Sequence, residues 1–266
     1  MGRIQETFSV LATENRKALI TYIVAGDPIK NITLSSMHLM VEKGVDIIEL
    51  GVPFSDPMAE GPAIQRGHER SLLHATSMND ILEMVAKFRK NDLKTPIVLM
   101  GYYNPFMAMG VDRFFQLASQ VGVDGIIVVD MPPEESEKFT SKAKDYQIDI
   151  IRLIAPTTSP ERAKKILQSA SGYVYYVSLN GVTGSNRIDI SDVDNKLKSL
   201  NKVTNLPVVV GFGIKDKETV KAAAKFSSGV VVGSVLVDIM GSSNDESNIK
   251  DLLSEKLEEL ISGLGD

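Results

Sequence analysis

The chain has 266 residues, 43% of them hydrophobic and 24% charged, with 29 Lys and Arg against 34 Asp and Glu for a formal net charge of -5. That apolar fraction excludes a disordered or fibrous chain, and the acidic balance argues against a protein that tracks a nucleic-acid backbone. There is no cysteine, which removes disulfides, thiolate nucleophiles and cysteine metal sites together while permitting a reducing compartment.

Taken in chain order, the start Met1-Gly2-Arg3-Ile4-Gln5-Glu6 leads into an amphipathic stretch and not into an apolar signal core. The myristoylation pattern fails because Glu6 stands where Ser or Thr is required. The periodicity predicts a helix over 4–14, a strand over 19–24 and a helix over 31–43. A second strand over 46–50 runs into a proline-rich segment, followed by helices over 62–73 and 79–90. Further strands are predicted over 97–100, 125–130, 149–154, 173–178, 208–211 and 230–233. Helices over 111–121, 134–146, 160–169, 191–203, 217–226 and 248–262 alternate with them. The longest apolar stretch, from Gly229 to Gly241, is broken by Asp238 and falls short of the roughly 18 residues of a membrane span. The expectation is a cytoplasmic protein that neither binds nucleic acid nor enters a membrane.

Strands that are apolar on both faces are what a parallel sheet beneath helices requires. Eight such βα alternations predict a (βα)8 barrel, the TIM barrel, in the α/β class, as one domain over 1–266. The helix at 4–14 is extra and caps the floor; the helix at 62–73 is extra after the second strand. An open doubly wound sheet is the rival. It is less attractive because the first βα turn, Ala25-Gly26-Asp27-Pro28, lacks the dinucleotide glycine pattern.

A barrel carries its site at the carboxyl ends of the strands. After the second strand, the segment from Glu49 to Pro62 holds three acids and three prolines in fourteen residues. Glu49, at the last turn of its strand, is held rigidly toward the mouth; taken singly it could equally be a structural ion-pair partner, and Glu60 a helix cap. The loop after the sixth strand, with Gly181, Thr183 and Gly184, could approach a ligand with bare backbone or be an ordinary turn. Gly211-Phe212-Gly213-Ile214 follows the seventh strand and Gly233-Ser234 the eighth. That is where these barrels bind phosphate through backbone N–H groups and a short helix N-terminus, so a phosphorylated small molecule is the predicted substrate. His38, His68 and His74 form no metal spacing, read as solvated or half-buried, and are assigned no chemistry. No nucleophile elbow or Walker loop is present.

Together these segments resemble the tryptophan synthase alpha-subunit family. The signature Glu49-Leu50-Gly51-Val52-Pro53-Phe54-Ser55-Asp56-Pro57-Met58-Ala59-Glu60-Gly61-Pro62 carries most of it. Gly26-Asp27-Pro28, Tyr102-Tyr103-Asn104-Pro105, Asp130-Met131-Pro132, Gly181-Val182-Thr183-Gly184, Gly211-Phe212-Gly213-Ile214 and Gly233-Ser234 extend it along the chain. The resemblance implies retro-aldol cleavage of indole-3-glycerol phosphate to indole and D-glyceraldehyde 3-phosphate. The indole would pass to a beta subunit, which carries pyridoxal phosphate and joins it to L-serine, in an α2β2 heterotetramer. No cofactor or metal is implied for this subunit.

By the same resemblance, Glu49 is the acid–base residue and Glu60 faces the indole nitrogen. Tyr22, Met100, Tyr102, Ile127, Val129, Leu153, Tyr175, Thr183 and Phe212 would contact substrate. Gly184, Gly213, Gly233 and Ser234 would hold the phosphate, and Asp56, Pro57, Met58, Asn104, Pro105 and Phe106 would face the beta subunit. Protonating indole C3 and then taking a glycerol hydroxyl proton needs a carboxyl group with a raised pKa, which an apolar barrel mouth provides. Position 60 is more often Asp in this family, so the carboxylate here reaches one methylene further. The competing expectations are a catalytically weak subunit that mainly activates its partner and a free-standing lyase.

Overall fold

Nine strand segments form one parallel sheet in the computed structural model, which describes residues 2–177, 190–211 and 213–265. They are β1 (Ala18–Val24), β2 (Ile47–Gly51), β3 (Ile97–Gly101), β4 (Gly125–Val128), β5 (Asp149–Ile150), β6 (Arg152–Ile154), β7 (Val174–Val177), β8 (Val208–Gly211) and β9 (Gly229–Val232). Their order is β5-β4-β3-β2-β1-β9-β8-β7-β6. The two ends of that order are neighbours in the chain, parted only by Ile151. β5 pairs with β4 and β6 with β7, so the sheet closes into the predicted barrel. The strand expected over 149–154 is thus one stave in two halves, which changes pairing partner midway.

Residue alternation along each strand sorts side chains between the barrel interior and the helical layer. On β1, Leu19 and Ile23 pack outward in the large core beneath the helices, while Ala18 and Ile20 point inward. The interior is plugged from below by α1 (Arg3–Thr13), whose Ile4, Phe8 and Leu11 pack against Ile20, Ile47, Val98, Ile127, Ile151 and Tyr173. Arg3 secures this plug by pairing with Asp124 at 2.8 Å, and buried Arg89 holds the other oxygen of Asp124 at 2.7 Å. With the floor filled, the opening lies at the carboxyl ends of the strands.

The outer layer is α2 (Lys30–Glu42), α4 (Met78–Phe88), α6 (Val111–Val121), α7 (Glu137–Asp145), α8 (Pro160–Leu167), α9 (Ile190–Leu200), α10 (Lys217–Ala224) and α12 (Glu246–Ser262). Three more helices sit over strand ends: α3 (Pro62–Leu73), α5 (Tyr103–Met109) and α11 (Ser234–Met240). Several starts are written locally. Ser77 and Asp80 form a reciprocal capping box at α4, and Asp216 and Thr219 do so at α10.

Three sequence expectations are corrected. The segment after β3, where no element was predicted before the helix over 111–121, is the helix α5, with the distant Asp130 carboxylate accepting the Tyr103 N–H at 2.7 Å at its start. Phe106, expected on the partner-facing surface, is fully buried against Phe114 and Phe139, with ring centroids 4.8 and 6.0 Å away. The helix expected over 134–146 begins with a separate turn, Pro133–Glu135, before α7. Ser136 between them is buried, and its hydroxyl accepts from Arg152 at 2.5 Å.

Candidate active site

Parity along β2 turns Glu49 into the barrel between outward-facing Ile48 and Leu50. Its carboxyl group is wholly buried. One oxygen accepts the Tyr173 hydroxyl proton at 2.5 Å, and the other has no hydrogen-bond partner. Burial pushes the Glu49 pKa to about 8; the Tyr173 hydrogen bond works against that rise, and the charge of Glu60 adds to it. At neutral pH Glu49 therefore holds a proton it can give.

Glu60 hangs over the same cavity from the loop after β2, half-buried, and burial raises its pKa to about 7. Several contacts shape that loop. The Phe54 ring stacks on Tyr102 at 5.1 Å, the Ala59 N–H donates to the Tyr102 hydroxyl at 2.9 Å, and the Phe54 N–H donates to His68 at 3.0 Å. The Glu60 N–H closes a turn onto the Pro57 carbonyl at 3.0 Å, and Gln65 donates to the Glu60 carbonyl at 2.9 Å.

Between the two carboxyl groups lies a cavity of about 250 Å³. Tyr22, Met100, Val129, Leu153 and Tyr175, all expected there, line its apolar wall. Gly213, Gly233 and Ser234 line the opposite rim beside Lys215. Gly213 has φ of 72°, a conformation that glycine adopts without strain, and nothing occupies the space where a Cβ would stand. Ser234 opens α11, with Gly233 at its N-cap, which turns backbone N–H groups toward the rim.

Two expected wall residues lie elsewhere. Ile127 sits one layer deeper, in the interior cluster with Ile4 and Phe8. Tyr102 braces the loop that carries Glu60 and is not among the cavity's lining residues. Thr183, Gly184 and Phe212 lie outside the described residues. Of the surface expected to meet a partner, Asp56, Met58 and Asn104 are exposed, Met58 to 86%, and Pro57 and Pro105 are half-buried.

Sequence reasoning missed three residues. Tyr173 shares interior parity with Tyr175, two positions on, and that parity was its only signal. Lys215 had no signal beyond its place just before the helix predicted over 217–226. His68 was expected to be solvated or half-buried but is buried, and burial lowers its pKa to about 4.

The architecture is that of a (βα)8-barrel enzyme, with its cavity where such barrels place their chemistry. A family model described as tryptophan synthase alpha chain matches residues 8–262. The tryptophan synthase alpha chain of Marinobacter nauticus is 50% identical over 258 residues, covering 97% of this chain and 96% of its own length. The crystal structure of tryptophan synthase subunit alpha from Legionella pneumophila is similar with a TM-score of 0.91 and 40% identity, over 99% of this chain and 98% of that one. A chain of the tryptophan synthase complex from Pyrococcus furiosus gives a TM-score of 0.83 and 38% identity, over 92% of this chain and 98% of that one. The chain belongs to the tryptophan synthase alpha chain family. It is a lyase of the alpha reaction, which cleaves indole-3-glycerol phosphate. Among the described residues, no helix is long and apolar enough to cross a membrane.

Proposed function

We propose that the cavity between Glu49 and Glu60 is where this cleavage occurs, and that the two carboxyl groups divide the work. The observation that carries the reading is the setting of Glu49, a fully buried carboxyl group with one oxygen held by Tyr173 and the other unpartnered, a burial that favours its protonated form. Glu49 gives its proton to indole C3. The ring becomes an indolenine whose N–H bears positive charge, and ionised Glu60 stabilises that charge. The Glu49 carboxylate then takes the proton of the glycerol hydroxyl beside the breaking bond. The carbon–carbon electron pair returns to the ring, indole leaves neutral, and the former carbinol carbon becomes the aldehyde of glyceraldehyde 3-phosphate. Glu49 ends protonated, so no proton is gained or lost over the cycle.

Tyr22, Met100, Val129, Leu153 and Tyr175 form an apolar slot for the flat ring. The rim of Gly213, Gly233, Ser234 and Lys215 suits a phosphate dianion, which backbone N–H groups and one ammonium neutralise. None of these steps calls on a cofactor in this subunit. The exposed tip formed by Asp56, Pro57 and Met58, with Asn104 and Pro105 nearby, is the face offered to a beta subunit; the assembly would be α2β2, in the cytoplasm. Purified chain given indole-3-glycerol phosphate should release indole alone, and faster with the beta subunit of a relative added. No release under either condition would overturn the reading.

A further inference from the structure

Tyr22 and Gly51 lie on neighbouring strands of the barrel interior, and the ring of one fills the side-chain space of the other. On β1, Tyr22 stands opposite Glu49 of β2, and Val24 stands opposite Gly51. A Cβ added to Gly51 would collide with the Tyr22 hydroxyl oxygen and stand 2.7 Å from Cζ and 3.1 Å from Cε2. Ordinary contact between carbon atoms is about 3.5–4.0 Å. All three atoms belong to one rigid phenol, so the ring would have to move as a body. Gly51 cannot retreat, because β2 pairs with β1 on one side and with β3 on the other. Its backbone is extended strand, which any residue adopts; the ring, not the backbone, requires a glycine there.

The ring's other neighbours decide where it would go. Its hydroxyl stands 3.4 Å from Nε2 of buried His68, which closes the tip. At its base, Tyr22 Cβ and Cδ1 lie 3.3 and 3.4 Å from the point where a Cβ on Gly233 would stand. Val24 and Val237 pack beside it in one buried cluster, with Ile64 and Met100 against them. Among the described residues, the side left to the ring is the cavity of about 250 Å³, which Tyr22 lines and Gly51 does not. We propose that Gly51 is a positioning residue that sets the width of the slot for the flat aromatic half of the substrate: its missing side chain lets the Tyr22 ring lie back against the barrel wall. The inference rests on the cavity being the lyase site, which indole release by the wild-type chain tests separately.

Calorimetry with two probes separates the slot from the rim. 3-Indolylpropyl phosphate, a substrate analogue without the glycerol hydroxyls, fills both, and glycerol 3-phosphate fills the rim alone. Gly51→Ala should weaken binding of the first by roughly 10–100-fold, the scale of one methyl group forced into an apolar pocket, and leave the second within about twofold. The loss should depend on the ring. With Tyr22→Leu as background, Gly51→Ala should cost less than about threefold; with Tyr22→Phe, which removes only the atom in closest conflict, it should cost an intermediate amount. Equal losses in the three backgrounds, or equal losses for the two probes, would overturn the proposal. So would a lower kcat for indole release at an unchanged KM, since Gly51 would then act through Glu49. A Gly51→Ala chain that does not fold would overturn it too, because the ring would have had no room to swing into the cavity.

Discussion

Glu49→Gln tests the ionisation argument through stability, with no substrate present. In the folded chain the Glu49 carboxyl group keeps its proton up to about pH 8, whereas in the unfolded chain it titrates at its ordinary value of 4.5. Between those values the folded state holds a proton that the unfolded state has released, so stability falls as pH rises. The slope is about 1.4 kcal/mol per pH unit. Across the interval from 4.5 to about 8, about 3.5 units, the loss is on the order of 5 kcal/mol. Glutamine has no proton to lose, and its amide oxygen can accept the Tyr173 hydroxyl as Glu49 does at 2.5 Å. Its amide N–H2 would occupy the position of the unpartnered Glu49 oxygen, a pH-independent cost of about 1–3 kcal/mol. Urea denaturation of both proteins from pH 5 to 9 separates the contributions. The stability of Glu49→Gln relative to wild type should climb steadily to about pH 8 and level off above it. A difference independent of pH would show that Glu49 is ionised throughout and refute the proton-donor argument.

Four further outcomes follow from the geometry. Tyr173→Phe removes the donor that holds the Glu49 pKa down, so the alkaline limb of indole release should move up by roughly 1–2 units, the value of a hydrogen bond to a charged group; an unmoved limb would assign that limb to another group. Glu60→Asp should stay within roughly tenfold of wild-type activity, since it keeps the charge, while Glu60→Gln should lose roughly 100-fold or more, as removal of a transition-state partner does; equal losses would show that reach, not charge, controls this position. Gly233→Asp sets a carboxylate beside the phosphate rim, with its Cβ 3.3 Å from that of Tyr22, and should weaken glycerol 3-phosphate binding in calorimetry at least about tenfold more than Gly233→Ala, which brings the same crowding without the charge; equal losses would show that crowding, not charge, acts there. Arg70→Met strips the buried Asp27 carboxylate of two hydrogen bonds at 2.6 and 2.8 Å and should cost about 3–5 kcal/mol in chemical denaturation, as breaking a buried pair does.

Barrel closure, the strand positions and the chemistry-bearing segments were legible because each rests on a local rule. Runs of Val and Ile that are apolar on both faces announce buried parallel strands, and eight of them can close a sheet. Glu49 was recognisable as a candidate site acid from its place at a strand end, and as the acid–base residue only through the family resemblance. Tyr173 shares the interior parity of Tyr175, yet an aromatic residue at the start of an interior strand reads as core until Glu49 is seen 2.5 Å from its hydroxyl.

What needed the tertiary structure depends on groups far apart in the chain. Asp130 starts α5 from 27 residues away, and with that helix in place Phe106 turns into the core. The stave over 149–154 breaks because pairing passes from β4 to β7 along it, an exchange that no local propensity encodes. The alternation that placed Met100 and Val129 in the cavity put Ile127 in the same interior, but its depth depends on how far α1 fills the floor. His68 carries the same lesson for electrostatics. In the sequence it reads as solvated or half-buried, and only the fold encloses its ring between Phe54 and Tyr22, burying it and lowering its pKa. Hydrophobic period and glycine placement are properties of neighbouring residues, so the sequence determines them alone. Desolvation and the partner of a polar atom depend on what the rest of the chain brings within about 3 Å of it, and only tertiary structure decides them.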